Sequence, residues 1–231
     1  METTIKFRVN KNESKKTDDG TTVYRIYAAK DFRTLDGMRI VEGTRGGWVE
    51  SESNLSQDEC CWVGGEACVY GNARVSDLAL VTGNARVYGN AKIYGWSLVY
   101  DDARVFDDAS VLSLARVYES SSVGGKSVVD VDALVCGNSI VLGNAIVRDE
   151  AIVAGNAKVF GNAKAYGRAR ICGNAKVYDD AEVYENTIVY GNAVVRGDAR
   201  VFGDATVFGN ANLGSGAIVC GNTRASGRSA K

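Results

Sequence analysis

Large aliphatic residues recur along this chain at every sixth position, and small residues recur at a fixed offset between them. Counting in sixes from Val63 to Ala225 gives 28 units without an inserted or deleted residue, and 23 of these positions hold Val. Four residues after each of them, from Ala67 to Ser229, the chain has Ala 21 times and Ser or Thr otherwise. A period kept over so many units predicts a solenoid, in which each unit contacts its neighbours.

We number the slots of each unit from 0 to 5, starting at the aliphatic residue. Slots 4, 5, 0 and 1, as in Ala73-Arg74-Val75-Ser76, point alternately inward and outward with the period of two that is typical of a strand. Slots 2 and 3 hold Gly-Asn in 11 units and often Asp-Asp or Gly-Asp in others. These residues tolerate the left-handed backbone of a tight corner. The pattern predicts an all-β fold, a parallel β-helix around an inner layer of Val and Ala.

Three six-residue sides close a triangle of 18 residues, and small slot-4 side chains suit its narrow axis. The repeat resembles that of the hexapeptide-repeat left-handed parallel β-helices, in which Leu, Ile or Val is followed four positions later by Ser, Thr, Ala or Val. The resemblance implies a left-handed, single-stranded triangular solenoid. Its 28 units would form about nine coils, roughly 45 Å long at the ~4.8 Å spacing of neighbouring strands.

The first 62 residues lack this period. Residues 4–10 and 21–28 alternate as two strands, joined by the polar residues 11–20, and this pattern predicts a hairpin. The first coil of a solenoid exposes its apolar layer and its strand edge unless another segment covers them. We therefore expect residues 1–62 to form an N-terminal β cap with the segment that leads into the repeat, and residues 63–231 to form the β-helix.

The segment that begins Gly46-Gly47-Trp48-Val49 resembles a motif of bacterial and prophage hexapeptide-repeat proteins described as acyltransferase-like. Acyltransferases of this family, as the resemblance implies, use a histidine general base near a loop that leaves the coil. The chain has no histidine, and its unbroken period leaves no place for such a loop. The related carbonic anhydrase branch binds its metal through histidines. We therefore predict no catalytic residue, no metal and no cofactor.

Paired carboxylates are the remaining candidates for a catalytic base. Such pairs can hold a proton at unusually high pH. However, they occupy slots 2 and 3, where Asp serves the same turn chemistry as Gly-Asn, and we favour a role in the corners. The pairs are Asp101-Asp102, Asp107-Asp108 and Asp179-Asp180.

Slots 5 and 1 point outward on three faces, on which residues 18 apart stack. The first face, from Arg74 to Phe202, mixes both charges. The second face, from Arg86 to Arg196, has only positive charges and two ladders of basic and aromatic residues. The ladders suit an anion with a planar ring, although aromatic ladders also stabilise a solenoid face by stacking alone. The candidate ligand-binding residues are Arg86, Tyr88, Arg104 and Phe106 in the first ladder and Lys158, Phe160, Lys176 and Tyr178 in the second.

The third face, from Leu80 to Phe208, is the most apolar. Only Arg116 and Arg170 are charged among its sixteen outward residues. An apolar strip over eight coils is too large for the surface of a solvated monomer and predicts an interface. High β-propensity alone would affect all three faces alike. The candidate interface residues are Leu80, Leu98, Tyr100, Tyr118, Leu134, Ile152, Ile188 and Tyr190.

Composition narrows the choice of partners. The net charge is −1, from 27 basic and 28 acidic residues, which argues against nucleic acid and membrane as partners. The six cysteines form no C-x-x-C motif, which is typical of free thiols in a reducing cytoplasm. We predict a non-catalytic binding or scaffolding protein that forms a homodimer or homotrimer through the third face. The alternatives are an acyltransferase-like enzyme without the usual histidine, and a prophage accessory protein that sequesters a host protein or a nucleotide-like anionic molecule.

Overall fold

Stacked parallel strands form the body of the protein in a computed structural model that describes residues 5–34 and 36–227. Residues 18 apart lie side by side, as in the pairs Arg86 with Arg104 and Val87 with Val105. The described residues contain no α-helix, and the stack makes about ten turns. The predicted all-β parallel solenoid is confirmed.

Each unit contributes one short strand, made chiefly of slots 5 and 0, and three consecutive units belong to three different sheets. The sheet of the first face contains Arg74–Val75, Lys92–Ile93, Ser110–Val111, Val128–Val129, Ile146–Val147, Lys164–Ala165, Glu182–Val183, Arg200–Val201 and Ile218–Val219. The repeat strands of the second face are Cys68–Val69, Arg86–Val87, Arg104–Val105, Ser122–Val123, Ile140–Val141, Lys158–Val159, Lys176–Val177, Val194–Val195 and Asn212–Leu213. The third face is formed by Trp62–Val63, Leu80–Val81, Leu98–Val99, Arg116–Val117, Leu134–Val135, Ile152–Val153, Arg170–Ile171, Ile188–Val189, Thr206–Phe208 and Arg224–Ser226.

Slots 0 and 4 fill the interior, where nearly all Val and Ala side chains are inaccessible to solvent. At the buried slot-4 positions where Ser or Thr replaces Ala, the hydroxyl finds a backbone acceptor. Ser97 donates to the carbonyl of Tyr94 at 3.0 Å, and Thr187 donates to that of Tyr184 at 2.7 Å. A buried hydroxyl with a partner costs little free energy, so these substitutions do not interrupt the repeat.

Slot 2 is the residue that turns each corner. Its φ is +67° at Gly71 and +68° at Gly83, in the left-handed region that glycine adopts without strain. The slot-3 amides then stack from coil to coil. The amide nitrogen of Asn72 donates to Oδ1 of Asn90 at 3.0 Å, and the same contact recurs at other corners. The Gly-Asn pairs therefore have the corner role that the sequence predicts.

An antiparallel hairpin extends the sheet of the second face. It consists of β1 (Phe7–Lys16) and β2 (Thr22–Ala28). Strand β2 pairs antiparallel with β5 (Arg45–Val49), and β5 pairs parallel with Cys68–Val69. The hairpin thus continues the edge of the first parallel strand of this sheet.

Strand β1 is longer than the sequence predicts, since it includes residues 11–16 of the expected loop. A bulge between Asn10 and Ser14 interrupts its pairing with β2, and polar side chains within and beyond the bulge find partners. Glu13 accepts a hydrogen bond from the hydroxyl of Tyr27 at 2.7 Å, and Lys15 donates to Glu66 at 3.2 Å. The polar composition of this segment indicated a loop, but these contacts favour a strand.

A second small hairpin and one helical turn complete the N-terminal segment. Strands β3 (Phe32–Arg33) and β4 (Arg39–Ile40) pair antiparallel. A 3-10 turn, Glu52–Asn54, follows β5. The buried amide of Asn54 donates to the carbonyls of Gly71 and Ala73 at 2.9 Å each, which attaches this turn to the stack.

The stack of parallel pairs begins before Val63. Val49 pairs with Val69, and Leu55 forms a parallel bridge with Val75. Val49 and Leu55 are six residues apart, whereas Leu55 and Val63 are eight apart. These two extra residues shift the phase and hide the additional turn from a count in sixes.

Candidate functional site

The three aspartate pairs lie at corners, where both carboxylates of each pair accept hydrogen bonds. Asp101 Oδ2 accepts from the backbone N–H of Glu119 at 3.2 Å, and Asp102 Oδ1 accepts from the amide of Asn84 at 3.1 Å. Asp107-Asp108 and Asp179-Asp180 make the corresponding contacts. The carboxylate at slot 2 thus gives a backbone N–H of the next coil an acceptor. These contacts support the interpretation of the pairs as corner residues.

Aromatic rings stack along the lower part of the second face. The ring of Tyr88 lies 5.2 Å from that of Tyr70 and 5.5 Å from that of Phe106, with interplanar angles of 7° and 12°. The ladder ends at Gly124, where the Phe106 ring occupies the space of a side chain. A Cβ atom at Gly124 would lie 2.4 Å from that ring. The structure therefore brings the predicted Tyr88 and Phe106 together and adds Tyr70 below them.

Arg86 of the first ladder is bound by the hairpin. Asp18, in the turn between β1 and β2, accepts a hydrogen bond from Nη1 of Arg86 and forms an ion pair with it. This bond, with further attraction from Arg86 and Arg104, holds the pKa of Asp18 below its ordinary value. Arg104 lies in register with Arg86 and is exposed. In the first ladder, the guanidinium of Arg104 is thus exposed, whereas that of Arg86 is already paired with the carboxylate of Asp18.

A cleft of about 370 Å³ separates the hairpin turn from the second face. Its walls mix both charges, with Lys15 and Arg86 among the cations and Asp18, Glu66 and Asp102 among the anions. An anion that approaches the Arg86 guanidinium from this cleft must compete with Asp18. No local pattern in the sequence indicates this competition, because Asp18 and Arg86 are 68 residues apart.

The second ladder has no such cover. The rings of Phe160 and Tyr178 stack at 4.7 Å with an interplanar angle of 5°, and Lys158 lies in register with the exposed Lys176. In the described part of the chain, no carboxylate lies within ion-pair distance of either lysine. All four predicted residues therefore lie together on an open surface.

Seven of the eight predicted interface residues line one outer surface. The rings of Tyr100 and Tyr118 stack at 4.9 Å and 1°, and those of Tyr190 and Phe208 at 5.5 Å and 10°. Ile188 is 37% exposed, so its apolar side chain is in contact with water. The other members are half-buried: Leu98, Tyr100, Tyr118, Leu134, Ile152 and Tyr190. These seven residues define the apolar strip of the third face.

Leu80 lies outside this strip, contrary to the prediction. It is only 5% exposed and belongs to the hydrophobic core. It pairs in register with Trp62, whose indole meets the ring of Phe32 from β3 edge-on at 5.4 Å. The N-terminal segment therefore covers the lower end of the third face, and the strip begins at Leu98.

A cluster under the hairpin was not predicted. The guanidinium of Arg25 lies 3.7 Å from the centre of the Trp48 ring and donates to Glu66 Oε1 at 2.8 Å. The Trp48 indole and Lys15 also donate to Glu66. The hydrogen bond from Arg25 is the largest of the effects that lower the pKa of Glu66 to about 2. In the sequence, Arg25 and Glu66 resemble ordinary outward polar residues, so no local signal identifies the cluster.

The described residues contain no group of three His, Cys, Asp or Glu side chains that could hold a metal ion. None of the helical segments in residues 5–34 and 36–227 has the length and hydropathy needed to cross a membrane. All six cysteines are free thiols. Burial raises the pKa of the Cys61, Cys68 and Cys172 thiols, which makes them less reactive.

Known protein families do not help to assign these surfaces. No protein-family model matches the sequence, and no curated protein matches it. The functional assignment therefore depends on the two ladders, the apolar strip and the corners described above.

Proposed function

We propose that this chain is a non-catalytic binding or scaffolding β-helix that acts as a homodimer or homotrimer through the third face. The observation that supports this proposal is the apolar strip from Leu98 to Tyr190. All three faces are built from one repeat, yet the outward charges concentrate on the other two. A surface of many coils on which only Arg116 and Arg170 are charged favours contact with another apolar surface.

The size of the strip limits the strength of this contact. From Leu98 to Tyr190 it spans six coils, which is roughly 29 Å at ~4.8 Å per coil, and a side of about four residues is roughly 13 Å wide. The strip alone therefore offers on the order of 400 Å² per copy. A standard stable interface uses about 800 Å² per partner. We expect either weak association or a contribution from the adjacent corners.

Replacing Leu98, Leu134 and Ile152 together with Glu should dissociate the assembly. Three like charges would face their copies across a desolvated interface, and burying unpaired charges is unfavourable. Light scattering coupled to size-exclusion chromatography measures the change, and circular dichroism should show an intact β signal. The matched control places Glu at Lys92, Ser110 and Ile146 on the first face and should leave the assembly intact. A wild-type protein that is monomeric at tens of micromolar would refute self-association.

A second candidate function is the binding of an anion with a planar ring on the second face. Two observations favour it: Arg104 is exposed beside the stacked ring of Phe106, and Lys158 and Lys176 are neighbours without an ion-pair partner in the described residues. Two adjacent ammonium groups repel each other, and a bridging phosphate or carboxylate would relieve this repulsion.

Asp18→Asn should strengthen nucleotide binding, because it removes the carboxylate that competes for Arg86. The expected gain is up to about fivefold, the range of an exposed ion pair. Arg86→Ala/Arg104→Ala should weaken binding, and salt should weaken it in the wild type. Titration of a nucleotide panel followed by tyrosine fluorescence measures these effects. The same affinity in all three proteins would leave the first ladder without a ligand role.

The proposal extends to the family and the compartment. The six-residue repeat supports kinship with left-handed hexapeptide-repeat proteins, and the free cysteines support a reducing compartment such as the cytoplasm. The alternative is an acyltransferase-like enzyme. Turnover of acetyl-coenzyme A by the purified protein would establish that alternative. A prophage accessory protein that sequesters a host protein is a further alternative within the binding class.

A further inference from the structure

One corner of the solenoid is apolar over four consecutive coils. It lies between the first and third faces, where slot 3 holds Leu78, Trp96 and Leu114, and slot 2 of the next coil holds Val131. Trp96 is 53% exposed, Leu114 44% and Val131 39%. We call these four residues the apolar corner. At most other corners the same slots hold Gly, Asn or Asp.

The apolar corner gives up interactions that stabilise the other corners. Trp96 and Leu114 cannot form the amide ladder that joins Asn72 to Asn90. Val131 has a φ of +59°, in the left-handed region that β-branched residues rarely adopt. Strain and exposed apolar area at the same place indicate a function other than folding.

Neighbouring side chains widen the apolar corner into a surface. Tyr94 of the first face is 36% exposed, and the half-buried Leu112 of the same face lies one coil above it. Trp96 is the one exposed tryptophan among the described residues, since Trp48 and Trp62 are 6% and 2% exposed. An exposed Trp surrounded by aliphatic residues is typical of the residues that dominate binding energy at interfaces.

Acidic residues lie at both ends of this surface. Asp58 and Glu59 are exposed and shortly precede Cys61. The backbone N–H of Cys61 donates to the carbonyl of Asp77, which is next to Leu78, so the two acidic residues lie one coil below Leu78. At the other end Asp132 is exposed next to Val131. A second copy placed on this corner in parallel or antiparallel orientation would bring carboxylates against carboxylates. The charges therefore favour a partner that is basic at both ends.

We propose that the apolar corner docks a short amphipathic segment of another protein, apolar in its middle and basic at both ends. The two acidic ends are four coils apart, roughly 19 Å at ~4.8 Å per coil. That distance is the rise of about 13 residues of α-helix. The proposal rests on the binding function proposed above but does not use the strip of the third face.

The test uses a synthetic helical peptide of about 14 residues, without tryptophan, that has Leu on one face and Lys at both ends. A matched peptide has Glu in place of Lys. Because the other two tryptophans are buried, emission changes on binding report Trp96. We expect a blue shift with the Lys peptide, no shift with the Glu peptide, and an affinity for the Lys peptide that falls as salt is added.

Variants at the corner separate docking from folding. Leu114→Asn should weaken the binding of the Lys peptide at least tenfold. Asp132→Asn should weaken this binding about threefold and reduce its salt dependence. Asn is the usual slot-3 residue, so both variants should keep the β circular-dichroism signal. The controls are Ile218→Asn, an apolar residue 63% exposed outside the corner, and Asp204→Asn, an exposed slot-3 acid higher on the same corner. Neither control should change the affinity.

Three results would overturn the proposal. The first is equal affinity for the two peptides, and the second is unchanged affinity for the Lys peptide in Leu114→Asn. The third is a shift of Trp96 emission that depends on protein concentration in the absence of peptide. That result would identify a second copy as the occupant. The variant Ile152→Glu/Ile188→Glu distinguishes the two proposals, because it alters the strip at a distance from the corner. If this variant binds the peptide normally but self-associates like the wild type, the third-face interface fails and the docking site stands.

Discussion

Replacing Arg25 with Ala is expected to lower the free energy of unfolding by about 2–4 kcal/mol, because it removes the donor to two backbone carbonyls and a cation–π contact made by a buried side chain. The side chain is 2% exposed, and its guanidinium donates to the carbonyls of Gly46 and Gly65 at 2.8 Å each. The substitution leaves these carbonyls without that donor. It also removes the cation that lies against the indole of Trp48 and binds Glu66.

Thermal unfolding followed by tryptophan emission and circular dichroism measures this effect. Because each coil contacts only its neighbours, the hairpin should detach first, and Trp48 should become exposed before the β signal is lost. The matched control is Arg45→Ala. Arg45 also pairs with Glu13, but its side chain is 56% exposed, and the expected loss is at most about 1 kcal/mol. Equal losses in the two variants would contradict the role assigned to Arg25.

The pH dependence of the stability difference between the wild type and Arg25→Ala provides a second test. The pKa of Glu66 is about 2 in the folded protein, against an ordinary value of 4.5. Its ionised form therefore adds stability above about pH 4.5, and this contribution is lost as the pH falls through the folded pKa. Since Arg25 makes the largest contribution to lowering this pKa, the difference in stability between the wild type and Arg25→Ala should shrink between pH 4.5 and 2. A constant difference would assign the effect of Arg25 to packing alone.

Replacing Ala145 with Leu is the change expected to have the next largest effect, about 1–3 kcal/mol of destabilisation or more. Ala145 is fully buried at slot 4, where the three sides of a coil converge. Three further carbon atoms must displace the Val and Ala layers of the coils above and below. Ala145 is in the middle of the stack, so the disturbance affects coils on both sides.

Ala145→Ser is the matched control for this substitution. A serine at slot 4 adds one polar atom, and Ser127 shows how such a hydroxyl is satisfied, by donating to the carbonyl of Gly124 at 2.8 Å. We therefore expect a change below about 1 kcal/mol in urea unfolding. If Leu and Ser were tolerated equally, the axis would be wider than the packing of these coils implies.

The repeat part of the fold could be predicted from the sequence because each unit has nearly the same surroundings. Val at slot 0 and Ala at slot 4 face inward in every coil, so a local pattern is sufficient to assign them. The corners follow in the same way, since Gly71 adopts the left-handed conformation its residue type favours. The turn that contains Val49 and Leu55 was missed, because two extra residues before Val63 break the phase and its pairing is visible only in three dimensions.

The period, the parallel stack and the inward or outward direction of side chains in the repeat follow from the order of residues along the chain. Which outward side chains are free to bind depends on contacts between distant segments. Asp18 occupies Arg86, Leu80 is buried in the core beside Trp62, and Trp96 remains exposed. The physical reason is that side-chain direction follows from local backbone geometry, whereas the cover over a face comes from residues distant in the chain, such as Asp18, 68 residues before Arg86.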